Sequence, residues 1–129
     1  MSKVPENLKY SKEHEWVQTL GESKVRIGIT DYAQGSLGDI VYIDAPDEGT
    51  KVTKDESFGT IESVKAVSDI FAPIGGSISS INDTINDNPE VVNSDPYEKG
   101  WLIEMEATDA SELDGLLDAA AYQEYIDSL

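Results

Sequence analysis

Apolar and polar positions alternate along most of this chain. Val25, Ile27 and Ile29 are separated by Arg26 and Gly28, the period of a strand with one face buried and the other solvated. Trp101, Ile103 and Met105 alternate with Leu102, Glu104 and Glu106 and predict a second strand of the same kind. The same pattern predicts strands over residues 14–20, 39–44, 57–62, 66–71 and 76–81. Turn-forming residues separate them at Gly21-Glu22, Pro46-Asp47-Glu48-Gly49, Pro73-Ile74-Gly75-Gly76 and Ser94-Asp95-Pro96. Many short strands with frequent turns point to a mainly β fold, a small sandwich or barrel.

Helical spacing is confined to the margins. Residues 30–37 predict a short helix, with Thr30 or Asp31 as its N-cap and Gly38 as its stop. Asn88-Pro89-Glu90-Val91 suits a single turn with Pro89 at the first helical position. The clearest helix closes the chain. Asp118 can cap it, and Tyr122, Tyr125, Ile126 and Leu129 form an apolar stripe within a helical segment of about 111–129. No Pro/Gly/Ser-rich stretch interrupts the chain, so residues 1–129 are expected to form a single domain.

Charge narrows the function classes. Nine Lys plus Arg stand against 26 Asp plus Glu, a net charge of −17 over 129 residues. Phosphate neutralisation needs basic clusters, so nucleic acid is not expected as a partner, and anionic membranes are disfavoured for the same reason. No cysteine is present, which excludes disulfides, thiol catalysis and Cys-ligated zinc. The single histidine, His14, has no companion cluster, so no metal is expected. Arg26 is the only arginine and no Gly-rich phosphate loop occurs, so clamping of anionic substrates is scarcely available. The start, Met1-Ser2-Lys3-Val4-Pro5, shows no apolar leader, and no stretch approaches a membrane span; a cytoplasmic protein is expected. Chemistry performed by such a chain would come from a group attached to it.

The segment from Phe58 to Pro73 is the most informative. Two alternating runs flank Ser63-Val64-Lys65-Ala66, and the simplest fold is a β-hairpin with Lys65 at or beside its tip. A lysine there is presented on a rigid support, and its ε-amine becomes a nucleophile once deprotonated. Ser63 and Ala66 are small enough to leave room for a modifying enzyme. On composition alone, such a lysine is more often only solubilising.

Glu62-Ser63-Val64-Lys65-Ala66, followed by Asp69 and by Gly76 eleven residues after the lysine, resembles the lipoylation motif of glycine cleavage H proteins. The resemblance runs almost the full length. It includes Leu8-Lys9-Tyr10-Ser11 with His14-Glu15-Trp16, then Gly28-Ile29-Thr30-Asp31-Tyr32-Ala33-Gln34 and Leu37-Gly38-Asp39-Ile40-Val41-Tyr42. It ends with Val92-Asn93-Ser94-Asp95-Pro96-Tyr97 and Gly100-Trp101. Lipoyl domains of 2-oxo acid dehydrogenases are shorter and usually show Asp-Lys-Ala at the tip. Biotin carriers usually flank the lysine with methionines. This chain has Val64 and Ala66 there, and it carries additional opening and C-terminal helical segments, so both relatives are less expected.

The resemblance implies a lipoyl-domain-like sandwich or barrel of the hammerhead type, with peripheral helices. It implies a non-catalytic carrier component of a multienzyme system, with lipoate held covalently on Lys65 as lipoyllysine. Implied partners are a pyridoxal-phosphate glycine decarboxylase, a tetrahydrofolate-dependent aminomethyltransferase, dihydrolipoyl dehydrogenase and lipoate-attaching enzymes; a monomer is expected. An H-like lipoyl relay serving cofactor assembly is the alternative. Glu15 and Asp69 match acidic positions near the family's arm cleft, where either could accept a hydrogen bond from a loaded amine. Read without the family, both are ordinary exposed carboxylates. Ser36 stands where some members carry histidine, so that side chain's role does not carry over. A structural role is expected for His14, and core positions for Trp16 and Trp101.

Overall fold

A computed structural model describes residues 3–129. Two antiparallel sheets face each other. The larger has six strands in the order β1 (Lys9–Tyr10), β2 (Glu15–Thr19), β3 (Lys24–Ile29), β9 (Ile103–Ala107), β8 (Gly76–Ile81) and β5 (Lys51–Val52). The smaller runs β4 (Ile40–Asp44), β6 (Ser57–Ser63) and β7 (Val67–Phe71). Helices are short: α1 (Asp31–Leu37), α2 (Thr84–Asp87), α3 (Val91–Ser94) and α4 (Ala119–Asp127). The fold is mainly β, as the alternation implies.

The pleat explains the core. Val25, Ile27 and Ile29 of β3 are buried between the sheets with Ile43, Ile61, Ile70, Ile78 and Met105, while Arg26 points outward to Glu104. In β6 the buried positions Phe58 and Ile61 are three apart, because a register shift between Ser57 and Gly59 resets the alternation. A second cluster joins Leu8, Tyr10 and Trp16 to Tyr122 and Ile126 of α4. Tyr10 and Tyr122 stack with ring centroids 4.6 Å apart. The Trp16 indole lies flat on Gly28, where a Cβ would come within 2.7 Å of it.

Tertiary contacts displace several expected elements. The strand expected from Trp101 begins at Ile103. Leu102 is buried rather than outward-facing: its N–H donates to the Ile27 carbonyl, and the Asn82 amide holds the carbonyls of Lys99 and Trp101, turning the chain into the core. Trp101 is only half-buried, covered by the Arg26 guanidinium 4.9 Å from its ring, whereas Trp16 is fully buried. The single turn expected over Asn88 to Val91 forms, closed by the Val91 N–H on the Asn88 carbonyl at 3.0 Å, and it leads directly into α3 at Val91. The expected C-terminal helical segment is broken. A 3₁₀ turn (Ala110–Gly115) is followed by Leu117, which pairs with Tyr10, before Asp118 caps α4 through the Ala121 N–H. Leu129 lies beyond that helix and is exposed. The two-residue strands β1 and β5 are too short to show periodicity and were not expected.

Candidate functional site

The β6–β7 hairpin closes through four residues, Ser63 to Ala66, and one side chain organises it. Ser63 donates its backbone N–H to the Ala66 carbonyl at 2.8 Å. Its hydroxyl oxygen accepts the N–H groups of Lys65 at 3.3 Å and Ala66 at 3.1 Å. The Val64 N–H donates to the Asp39 carbonyl at 3.0 Å, tying the tip to the residue before β4. Every backbone donor of the tip is thereby satisfied, so the turn is held while the Lys65 side chain is exposed. No ion pair to Lys65 occurs among the described residues.

A second layer holds the ground beneath the tip. Gly38 ends α1 with φ of 80°, a left-handed value that favours glycine, and a Cβ there would lie 3.7 Å from Lys65 Cε. Asn93 of α3 brackets this corner. Its Oδ1 accepts the Ile40 N–H at 2.9 Å, and its Nδ2 donates to the Gly38 carbonyl at 2.9 Å and to Gln34 Oε1 at 3.0 Å. Asn93 therefore fixes the loop whose Asp39 carbonyl fixes Val64. Sequence reasoning missed this: Asn93 lies 28 positions after Lys65 with no local pattern linking the two. It also read Ser63 only as a small residue.

Beside the hairpin lies a cleft of about 230 Å³, lined by Glu15, Tyr32, Ser36, Ile61, Asp69 and Ile70 among others. The three positions singled out from the family pattern thus meet at one cavity. Lys65 is not part of its lining. Asp69 and Ser36 are exposed at the rim. Glu15 is not the exposed carboxylate expected of it: it is 2% exposed. The Ser11 hydroxyl donates to Glu15 Oε1 at 2.6 Å, and the Phe71 N–H makes a longer contact to Oε2 at 3.4 Å. Burial pushes its pKa up to about 8, with these two bonds acting the other way, so the carboxyl is largely neutral at neutral pH.

His14 adopts φ of 69° and places Nδ1 2.8 Å from the Tyr122 hydroxyl, which also lies 2.7 Å from Thr30 Oγ1. Thr30 in turn caps α1 through the Ala33 N–H, so the C-terminal helix is tied to the helix that walls the cleft. Burial lowers the His14 pKa. No group of three acidic, His or Cys side chains able to hold a metal occurs among the described residues. None of their helices is long and apolar enough to cross a membrane.

The sequence profile of the glycine cleavage H-protein family matches residues 8–129. The chain belongs to the glycine cleavage H-protein family. It is 52% identical over 126 residues to the glycine cleavage system H protein of Halorhodospira halophila, covering 98% of this chain and 97% of that one. Against the same-named protein of Geobacillus thermodenitrificans it is 56% identical over 119 residues, 92% and 93% of the two chains. The crystal structure of a glycine cleavage system H protein from Mycobacterium marinum matches the fold with a TM-score of 0.84 at 36% identity, over 97% of this chain and 98% of that one. Membership makes the chain a non-catalytic lipoyl carrier of the glycine cleavage system, not an enzyme.

Proposed function

We propose that Lys65 is the residue on which this chain carries lipoate, as lipoyllysine. The observation that carries the reading is the tip itself: an exposed amine with no ion pair among the described residues, on a turn whose backbone donors are all held by Ser63, Ala66 and Asp39. Attachment forms an amide between the ε-nitrogen and the lipoyl carboxyl carbon; the bond from that carbon to its activating group breaks, and the amine gives up its proton. When bound, the dithiolane supplies the thiol–disulfide chemistry that a cysteine-free chain lacks. The residues present fit the group. The amine is reachable, and the neighbouring cleft combines apolar walls, Ile29, Leu37, Ile61 and Ile70, with the neutral carboxyl of Glu15.

The chain's own part is positional. Ser63 and Asn93 fix the base of the arm, and the four-carbon lysine stem gives it reach. Glu15 and Asp69 offer carboxyl oxygens to an amine brought into the cleft. In this reading residues 1–129 act as one carrier unit, monomeric and cytoplasmic. It serves the glycine decarboxylase, the aminomethyltransferase, dihydrolipoyl dehydrogenase and the lipoate-attaching enzymes in turn. Peptide mapping after expression in a lipoylating host tests it. A lipoyl or octanoyl mass on Lys65 is expected, and Lys65→Arg abolishes glycine cleavage. Modification at Lys51 or Lys54 instead, or an active Lys65→Arg chain, overturns it.

A further inference from the structure

The helix that walls the cleft is held from outside it. None of the seven residues of α1 is buried, yet Tyr32, Ala33, Ser36 and Leu37 form one side of the cleft. Its N-terminal end is fixed at Thr30, which is fully buried. The Thr30 N–H donates to the His14 carbonyl at 3.0 Å, and the Thr30 hydroxyl meets the Tyr122 hydroxyl at 2.7 Å. His14 lines the same cleft, immediately before β2 and the buried Glu15. A single atom, the Tyr122 hydroxyl oxygen, therefore links His14 and the start of α1 to the C-terminal helix.

Proton counting fixes the direction of these bonds. Thr30 Oγ1 accepts the Ala33 N–H at 3.2 Å, and its own proton has one acceptor among the described residues, the Tyr122 oxygen. Tyr122 then donates its single proton to His14 Nδ1 at 2.8 Å. Every donor is used once, and the imidazole is neutral with its proton on Nε2. A protonated ring carries hydrogen on both nitrogens, so Nδ1 becomes a donor to the Tyr122 oxygen. Three protons then share two links. One of them, on Thr30 or Tyr122, is left without an acceptor, and both residues are closed to water.

The surroundings of the ring do not offset this. The Tyr32 ring of α1 lies 4.7 Å from it, and the Tyr122 and Tyr125 rings of α4 each lie 5.9 Å away. Asp31 of α1 is engaged by the Gln34 amide and the Lys3 N–H. The segment of His14 itself brings Lys12, whose ammonium lies over Tyr125, with Glu13 and the neutral Glu15, and Asp69 lines the same cleft from β7. Glu13 favours the charged ring, and burial outweighs it.

We propose that Tyr122 is a positioning residue of the cleft, a latch that holds α1 to His14 while the imidazole is neutral and releases α1 when it takes up a proton. The proposal rests on the geometry of the cleft and not on the reading of Lys65, so the two stand or fall separately. Acid loosens the wall carrying Tyr32 and Leu37 and leaves the sheets intact, since the core between them contains none of His14, Thr30 and Tyr122.

The test follows amide exchange of Ala33 and the His14 ring signals by NMR on the unmodified full chain, from about pH 7.5 to about pH 4.5. Exchange is expressed as protection factors, which removes the intrinsic effect of pH. In wild type, Ala33 protection should fall about tenfold in step with His14 protonation. Tyr122→Phe keeps the ring that stacks on Tyr10 and removes only the hydroxyl. Its Ala33 protection should be about tenfold lower at neutral pH, with no step on acidification. Its His14 should titrate at higher pH than in wild type, because the bond to the neutral ring is gone. His14→Asn tolerates the positive φ and does not titrate, so it should also lose the step. Thr30→Ser keeps the hydroxyl and should keep it. Wild-type protection that stays level over this range overturns the proposal, and that measurement needs no variant. A step that persists in Tyr122→Phe or His14→Asn overturns it, because carboxylates such as Glu13 and Asp69 would then be its source. A His14 that titrates at the same pH with and without the Tyr122 hydroxyl overturns it as well. So does an equal loss of protection in β3 and β9, which would mean that the whole fold opens rather than the latch.

Discussion

The two ends of one hairpin do opposite things with a titratable side chain. At the β6–β7 tip, Lys65 is exposed and four hydrogen bonds of its neighbours hold the backbone beneath it. Along the same strands, Ile61 and Ile70 help to enclose Glu15, which is withdrawn from water until its carboxyl stays protonated near neutrality. The tip keeps its charge solvated and constrains only the main chain. The cleft constrains the side chain and sacrifices its charge. On the proposed reading a carrier uses both: a base that stays in place with a reachable amine, and a cleft in which polar groups act with less competition from water.

Moving the lysine breaks the comparison most sharply. Val64→Lys combined with Lys65→Val keeps the apolar pattern of both strands, since positions 64 and 65 are both exposed. Circular dichroism and thermal melting should match wild type, while lipoylation falls at least about 100-fold, because one step redirects the side chain relative to the turn. Efficient modification at position 64 would show that exposure alone suffices.

The cleft end is tested by pH. Glu15 ionises near its usual 4.5 in the unfolded chain and at about 8 in the folded one, so the folded state binds the extra proton between these values. Its contribution is fully favourable below the lower value and is lost as pH rises through the upper one. Glu15→Gln should therefore be more stable than wild type at pH 9, by on the order of 5 kcal/mol in denaturant unfolding, with the gap closing toward pH 5. A gap independent of pH would show that the carboxyl is not protonated in the fold.

Smaller effects come from the supports. Asn93→Ala strips partners from the Ile40 N–H and the Gly38 carbonyl and should cost about 1–3 kcal/mol in denaturant unfolding. Lipoylation should slow severalfold, since the Asp39 carbonyl no longer holds Val64 firmly. If stability drops but lipoylation does not, the tip needs no support from α3. Salt should matter least: association with the decarboxylase is expected to slow severalfold from about 0.01 to 0.15 M salt, as screening weakens steering by the −17 surface. A flat rate would remove the surface charge from the account.

Much of this molecule is readable without coordinates. Strict alternation in Val25 to Ile29 and the turn residues between runs specify a mainly β chain, because a period of two tolerates only one pairing face. Thr30 and Asp118 announce their caps by residue type alone. Lys65 stands out because its block is local in sequence and matched by other blocks in the same order. Glu15 could not be read this way: glutamate is usually solvated, and nothing in His14-Glu15-Trp16 tells that Phe71, 56 positions away, closes over it. Leu102 misled for a related reason, since the Asn82 amide that turns the chain inward comes from another loop. Periodicity and caps are local physics, carried by neighbouring residues and so written in order along the chain. Burial of a carboxyl, the Asn93 bracket beneath the tip and the Tyr122 link between His14 and Thr30 arise only when distant segments are packed together. Desolvation and hydrogen bonds between distant segments are properties of that packing, and only the tertiary structure decided them.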